Sequence, residues 1–239
     1  MPPSSSPYAA LDLSHLGPVD VAIVGVGGLG CPAAWALQHG VRALRLLDED
    51  RVERSNLHRQ MLFRESDVGS LKVEAAAARL RQEVAVEAVP HHVGPENAHA
   101  LLRGARLVVE GSDNLATKFL VSDVCNELGI PVVHGACVGW VATVLPVLPG
   151  VSACYRCVFE EPPEEEPCNC AIAGVFGPVT SVAGALMAAD ALRLLVGDGS
   201  TAGVLARYDG WRQQYRASPF ARREGCSGCD ARRRDTTGG

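Results

Sequence analysis

The sequence predicts an α/β fold built on a doubly wound, mostly parallel β-sheet. Two observations predict it. Short apolar runs suited to buried strands alternate with helical segments, and a glycine-rich turn joins the first run to the first helix. A second strand follows this helix, so the chain opens with a βαβ unit of about 30 residues. The length of 239 residues, 47% of them hydrophobic, suffices for one sizeable domain.

The predicted elements follow one another in regular order. The strands are the apolar runs at residues 19–24, 43–47, 84–89, 107–110, 131–134 and 140–148. The helices cover residues 31–39, 74–83, 98–102, 115–128 and 179–196. Residues 160–167 are acidic and rich in proline, which predicts an exposed loop. We expect a flexible tail over residues 1–18, a single domain over residues 19–230 and a second tail over residues 231–239.

Charge and composition argue against nucleic-acid and membrane partners. The formal net charge is −5, so the basic excess that nucleic acid attracts is missing. No uninterrupted apolar stretch reaches the ~20 residues of a membrane-spanning helix. Residues 1–8 are rich in proline and serine and do not follow the pattern of a signal peptide. We therefore expect a cytoplasmic protein.

The glycine-rich turn has the spacing of a phosphate-binding loop. Gly25, Gly27 and Gly30 match G-x-G-x-x-G between a strand and a helix, with Gly28 as an additional glycine. Glycines let the backbone approach phosphate closely, and the N-terminus of a helix favours an anion. Asp48 ends the next strand, where a ribose-binding carboxylate is expected. This pattern alone leaves open whether a Rossmann-like domain binds NAD or another nucleotide.

Residues that follow Asp48 favour a triphosphate over a dinucleotide. Asn56, Arg59 and Lys72 supply an amide and two cations, which suit a triphosphate whose charge must be neutralised before a nucleophile approaches. The alternatives are an ordinary surface arginine at Arg59 and a solvated start of a helix at Lys72. Their occurrence together with the segment Ser-Asn-Leu-His-Arg-Gln at residues 55–60 argues against both alternatives.

In these segments the sequence resembles the ThiF/MoeB/HesA adenylyltransferases, which are similar to ubiquitin-activating enzymes. The matching motifs occur in the family's order from about residue 19 to residue 229. Besides the glycine turn they are Leu47–Asp50, Val52–Gln60, Val68–Glu74, Gly111–Asn114, Cys154–Cys157, Ala173–Pro178 and the pair Cys226/Cys229. The resemblance implies a nucleotide-binding half over residues 19–150. It also implies a half over residues 151–230 that contains a partner-binding sheet region and a zinc-pinned tail.

The resemblance implies an enzyme that uses ATP to adenylate the C-terminal Gly-Gly carboxylate of a small ubiquitin-like sulfur-carrier protein, similar to ThiS or MoaD. Pyrophosphate would leave, and a sulfur donor would then convert the acyl-adenylate to a thiocarboxylate for thiamin, molybdopterin or another thiolation pathway. The donor would be a separate protein, a cysteine desulfurase or a rhodanese. A homodimer is also implied.

The same resemblance assigns roles to individual residues. The implied nucleotide-binding residues are Gly25, Gly27, Gly28, Gly30, Asp48, Ser55, Asn56, Leu57, His58, Arg59, Lys72, Asp113 and Asn114. Arg59 and Lys72 would stabilise charge at the α-phosphate, and Asp113 would hold Mg²⁺ between the phosphates. Asp113 and Asn114 are also residue types that favour turns and helix N-caps, a role compatible with the first.

Cysteines provide two further predictions. Cys154/Cys157 and Cys226/Cys229 form two CxxC pairs, and four thiolates suit a closed structural zinc site that pins the C-terminal tail. The alternative is free or redox-active thiols, since 68 residues separate the pairs. Cys170 matches a family cysteine in a mobile loop that some members link covalently to the carrier. The alternative for Cys170, and for nearby Cys168, is an incidental loop thiol.

The sequence also departs from the family pattern. Members carry an Arg-Tyr-x-Arg-Gln segment that sends an arginine into the neighbouring subunit's ATP site, whereas this chain has Tyr8 but no arginine before Arg42. The family arginine that follows Asp-Asn is Lys118 here. Three competing functions are an ATP-dependent dehydratase of a modified tRNA base, a non-catalytic binding subunit and, last, an NAD oxidoreductase.

Overall fold

The computed structural model describes residues 20–160 and 174–229. Both predicted tails, most of the predicted acidic loop, and the two loop cysteines Cys168 and Cys170 lie outside these described residues. The described chain forms one eight-stranded mixed sheet in the order β3-β2-β1-β4-β5-β6-β7-β8. This sheet confirms the predicted α/β class.

The strands divide into a parallel and an antiparallel part. They are β1 Asp20–Val24, β2 Ala43–Leu47, β3 Ala85–Val89, β4 Leu107–Glu110, β5 Val132–Val138, β6 Val141–Val147, β7 Val204–Asp209 and β8 Gln214–Pro219. Strands β1 to β5 pair in parallel, whereas β6, β7 and β8 are added in antiparallel fashion beyond β5. The chain reverses its order along the sheet between β1 and β4, which is where α/β folds bind ligands.

Helices cover both faces of the sheet. They are α1 Gly30–Leu37, α2 Lys72–Leu80, α3 Ala98–Leu102, α4 Leu115–Leu128, α5 Tyr155–Phe159 and α6 Gly177–Leu195, with 3₁₀ turns at Arg54–Asn56 and Glu65–Asp67. Successive side chains of β1 point to opposite faces. Val21 and Ile23 therefore pack in the core beneath α1, α2 and α6, and Ala22 and Val24 in the core beneath α3, α4 and α5.

Most of the element boundaries agree with the prediction to within about two residues, as is usual for helix ends. Helix α2 begins at Lys72 rather than at residue 74, and β5 continues to Val138 rather than stopping at residue 134. The predictions omitted α5, β7 and β8. Every residue of β8 is exposed, so its sequence lacks the apolar alternation that marks a half-buried strand.

Helix α6 is long and apolar enough to cross a membrane by length and composition. It packs against α1, β5 and β6 instead, and it contributes Val179, Ala183 and Met187 to the buried core. A mostly buried core helix passes the same test as a membrane span, so this helix is weak evidence for a membrane.

Candidate nucleotide site

A cleft of about 600 Å³ lies at the carboxyl ends of the parallel strands, where the order of the sheet reverses. The structure brings most of the implied nucleotide-binding residues to this cleft. Those that line it are Gly25, Gly27, Gly28, Asp48, Asn56, Arg59, Lys72, Asp113 and Asn114. Residues from four separate segments of the chain therefore meet in one place.

The glycines of the first turn serve two different needs. Gly25 has a φ of 83°, and a Cβ atom there would lie 2.9 Å from the backbone nitrogen of Ser112. A Cβ atom on Gly30 would lie 1.9 Å from the carbonyl oxygen of Gly25, so this position requires glycine for helix and turn to pack. Gly27 and Gly28 have room for a Cβ atom and face the cleft. Their lack of side chains leaves the backbone accessible to a ligand.

Asp48 anchors the turn and leaves a carboxylate at the cleft. Its Oδ2 accepts a hydrogen bond from the backbone N–H of Val26 at 2.7 Å, and Oδ1 accepts one from that of Asp50 at 2.9 Å. Burial raises the pKa of the Asp48 carboxyl, and the positive charge of Lys72 opposes this shift. The Asp48 carboxyl is thus held at the cleft in a partly desolvated position.

Lys72 is a buried cation of the cleft. It is 6% exposed, and its Nζ donates a hydrogen bond to Asp50 Oδ2 at 2.6 Å and lies 3.8 Å from Asp48 Oδ1. The alternative of a solvated start of a helix is therefore wrong, although Lys72 does begin α2. Helix α2 begins beside the end of β2 and the turn that follows it. Asp48 and Asp50, which lie there, flank the Lys72 ammonium.

Arg59 and Asn56 form the second polar group of the cleft. The Nη2 of Arg59 donates a hydrogen bond to Asn56 Oδ1 at 2.7 Å, which orients the guanidinium across a 3₁₀ turn. Asp113 is exposed at the cleft, immediately before α4. Asn114 caps this helix, since its Oδ1 accepts the backbone N–H of Thr117 at 3.0 Å. The expected N-cap role of Asn114 is thus confirmed.

Four of the implied nucleotide-binding residues do not line the cleft. Gly30 lies beneath it in α1, and Leu57 packs against the apolar core. Ser55 is exposed and donates its hydroxyl to Glu53 Oε2 at 3.1 Å, while His58 Nδ1 lies 2.9 Å from the carbonyl oxygen of Ser55. Ser55, Leu57 and His58 lie in or directly after the 3₁₀ turn that presents Asn56 and Arg59.

The four cysteines of the CxxC pairs converge in a second place. Their sulfur atoms all lie within 4.8 Å of one another, with Cys154 3.6 Å from Cys226 and Cys157 3.4 Å from Cys229. A disulfide would require about 2.05 Å between sulfurs. Four thiolates around a tetrahedral zinc ion with bonds of about 2.3 Å stand about 3.8 Å apart, so this cluster fits such an ion.

Comparison with known proteins identifies the family. The ThiF family model matches residues 6–228, which is most of the chain. The chain belongs to the ThiF family. This match confirms the predicted family. Together with the relatives described next, it also confirms the predicted class of enzyme, an adenylyltransferase.

Several ThiF-family relatives are closely similar. A SAMP-activating enzyme E1 of Haloferax volcanii is 40% identical over 218 residues, which cover 87% of this chain and 79% of that protein. A sulfur carrier protein adenylyltransferase of Thermus thermophilus is 42% identical over 220 residues, covering 87% and 81%. The pig adenylyltransferase and sulfurtransferase MOCS3 is 42% identical over 225 residues, covering 91% of this chain and half of that protein.

The crystal structure of E. coli MccB with ATP has the same fold. It superposes with a TM-score of 0.79 at 25% sequence identity, covering 91% of this chain and 68% of that one. Because the superposition covers most of this chain, the two proteins share one overall architecture.

Some buried polar side chains at or beside the ThiF-type cleft were not among the predicted nucleotide-binding residues. Gln60 lines the cleft and is 3% exposed, and its Oε1 has no hydrogen-bond partner among residues 20–160 and 174–229. Lys118 also lines the cleft and is buried against Glu110 and His134. The family pattern marked position 118, but Glu110 and His134 belonged to runs that predicted only buried strands.

Proposed function

We propose that this chain adenylates the C-terminal Gly-Gly carboxylate of a small ubiquitin-like sulfur-carrier protein with ATP, releasing pyrophosphate in preparation for thiocarboxylate formation. The observation that carries the proposal is the meeting of Asp48, Arg59, Lys72 and Asp113 around one glycine turn. The names of the relatives from Haloferax and Thermus support it.

Each group in the cleft suits one part of ATP. Gly27 and Gly28 line the cleft just before the N-terminus of α1, so their backbone N–H groups would receive phosphate. Asp48 is placed to accept a ribose hydroxyl. Arg59 and Lys72 bring positive charge to the phosphates, which lets an anionic carboxylate approach the α-phosphorus. Positioning and charge screening are the main contributions in this class of phosphoryl chemistry.

Asp113 is the residue that we propose for Mg²⁺. Its carboxylate is exposed at the cleft, and Mg²⁺ prefers one or two carboxylates together with phosphate oxygens. The ion would draw negative charge away from the β- and γ-phosphates and so assist the departure of pyrophosphate.

The four cysteines are proposed as a structural zinc site. Cys154 and Cys157 flank and enter α5, whereas Cys226 and Cys229 follow β8. A zinc ion would therefore join the end of the antiparallel strands to the core beneath α4 and α5. The backbone N–H of Arg223 lies 3.4 Å from Cys157 Sγ, a contact typical of the groups that surround a zinc thiolate.

The remaining proposals concern partners and location. We propose a homodimer in the cytoplasm, with ThiS- or MoaD-like carriers as substrates and a separate cysteine desulfurase or rhodanese as sulfur donor. Cys170, which lies outside the described residues, is proposed as the thiol that would link covalently to the carrier. The crystal structures of E. coli MccB in complex with MccA support the proposal that a protein of this fold holds a second molecule besides the nucleotide.

Isotope exchange between pyrophosphate and ATP tests the proposal. The reaction contains Mg²⁺ and, in turn, each small Gly-Gly-ended protein of the organism. Exchange that needs one intact carrier, and that disappears on removal of its last glycine or in Asp113→Ala, is expected. ATP binding without exchange for any carrier would instead favour the tRNA-base dehydratase or the non-catalytic subunit.

A further inference from the structure

Strand β4 ends in a carboxylate that is completely buried. Glu110 is 0% exposed, and its Oε2 accepts a hydrogen bond from Lys118 Nζ at 2.8 Å. Lys118 is 3% exposed and also donates to the carbonyl oxygen of Gly135 at 2.6 Å. His134 Nδ1 lies 3.3 Å from the same carboxylate oxygen. One ion pair thus ties the end of β4 to the first turn of α4 and to the middle of β5.

The other oxygen of Glu110 holds the turn that follows β4. Its Oε1 accepts hydrogen bonds from the backbone N–H of Ser112 at 2.8 Å and from the Ser112 hydroxyl at 2.5 Å. The same turn packs against the glycine turn, since Gly111 donates its N–H to the carbonyl oxygen of Val24 at 2.9 Å. Asp113 comes directly after Gly111 and Ser112, the two residues that these hydrogen bonds hold.

Electrostatic interactions keep the Glu110–Lys118 pair charged. Burial alone would raise the pKa of the Glu110 carboxyl, but the ammonium of Lys118 and the contact with His134 lower it to about 2. Burial lowers the pKa of His134, so at neutral pH its ring is uncharged and Nδ1 can donate to the carboxylate. The pair Glu110–Lys118 is therefore neutral overall, and both charges are satisfied.

We propose that the buried pair Glu110–Lys118 is a positioning device that holds the Ser112–Asp113 turn, and thereby the Asp113 carboxylate, at the metal–phosphate end of the cleft. The inference rests on the proposed function of Asp113. Neither Glu110 nor Lys118 needs to touch the nucleotide, because the hydrogen bonds run through the backbone and side chain of Ser112.

Substitutions can separate positioning from stability. Removing one partner would leave the other charge buried and could unfold the protein, so the main variant is the neutral double substitution Glu110→Leu/Lys118→Met, which leaves no side-chain acceptor for Ser112. Ser112→Ala, in which only the hydroxyl contact is lost, is the milder companion. Lys118→Arg retains the positive charge, so it is expected to keep the gain in ATP affinity that Mg²⁺ produces. Asp123→Asn is the matched control, because it breaks an ion pair of the same helix with Arg156 away from the cleft.

The measurement is the affinity for ATP in the presence of Mg²⁺ and again in EDTA, by isothermal titration of the full chain. In the double variant we expect the gain in ATP affinity on adding Mg²⁺ to be about tenfold smaller than in wild type, with binding in EDTA unchanged. Tenfold is the lower end of the effects of residues that act through a metal ligand. Ser112→Ala should lose a smaller part of the affinity that Mg²⁺ adds. Lys118→Arg and Asp123→Asn should keep all of it.

Two results with the double variant would overturn the inference. One is a double variant that folds and keeps the full effect of Mg²⁺, and the other is equal loss of binding with and without Mg²⁺. Because the assay needs no carrier, a wild-type chain that binds Mg²⁺–ATP but shows no exchange would refute adenylation and leave the positioning result standing. A wild-type chain that binds no ATP would overturn both.

Discussion

The glycine turn provides a matched pair of substitutions, Gly30→Ala and Gly28→Ala. A Cβ atom on Gly30 would lie 1.9 Å from the carbonyl oxygen of Gly25, whereas one on Gly28 would lie 3.4 Å from its nearest neighbour, Thr180 Cγ2. The first contact is impossible without movement of helix α1 or the turn, and the second is ordinary van der Waals contact. The two variants differ by one methyl group each but should fail for different reasons.

The magnitude follows from the distances. Contacts of Cβ atoms below 3.0 Å are essentially never seen, so Gly30→Ala demands a backbone shift of about 1 Å. Overpacking costs up to about 3 kcal/mol, and the better helix propensity of alanine recovers at most about 1 kcal/mol. The net loss of about 2 kcal/mol corresponds to a fall in Tm of about 4–8 °C for a domain of this size.

Thermal unfolding with and without Mg²⁺–ATP distinguishes the two variants. Gly28→Ala should unfold within about 2 °C of wild type without nucleotide, because surface changes without a clash cost about 0.5 kcal/mol or less. It should lose most of the rise in Tm that ATP produces, because the new methyl group occupies the path of a phosphate. Equal destabilisation of both variants without nucleotide, or normal ATP stabilisation of Gly28→Ala, would refute this reasoning.

Three further predictions concern the cleft and the cysteines. Lys72→Met should lower the exchange rate about a hundredfold, whereas Arg79→Met, on the same helix but paired with Asp67 outside the cleft, should leave it unchanged. Because burial raises the pKa of Asp48, protonation should weaken ATP binding as pH falls, at a higher pH than for an ordinary aspartate, and Asp48→Asn should abolish that dependence. Cys226→Ser should reduce bound zinc, measured by metal analysis, and lower Tm; unchanged zinc content would exclude the four-cysteine site.

Local patterns were sufficient to predict most of the site. The glycine spacing, the acid at the end of β2 and the residues of the following turn lie close together in sequence, and the parallel topology carries them to one edge of the sheet. Leu57 and His58 were included because the family motif contains them, but a short 3₁₀ turn directs only some of its side chains to the cleft.

Other features depended on contacts that periodicity does not report. The exposed strand β8 has no buried face, and its pairing with β7 depends on the turn between them rather than on an apolar pattern. The burial of Lys72 could not be read from its place at the start of a helix, because the acids that surround it come from the end of another strand.

Short motifs and the order of strands and helices were enough to predict the class of fold and the family. They also identified the chemical types of residue available to bind a nucleotide and a metal. The meeting of Glu110, Lys118 and His134 became visible only in the folded chain. The sequence had left two alternatives for the cysteines, and the fold favours the four-cysteine cluster, since Cys154 lies 3.6 Å from Cys226 although 72 residues separate them. The physical reason is that burial and pairing of charges depend on which elements pack together, and a long-range contact leaves no local periodic signal in the chain.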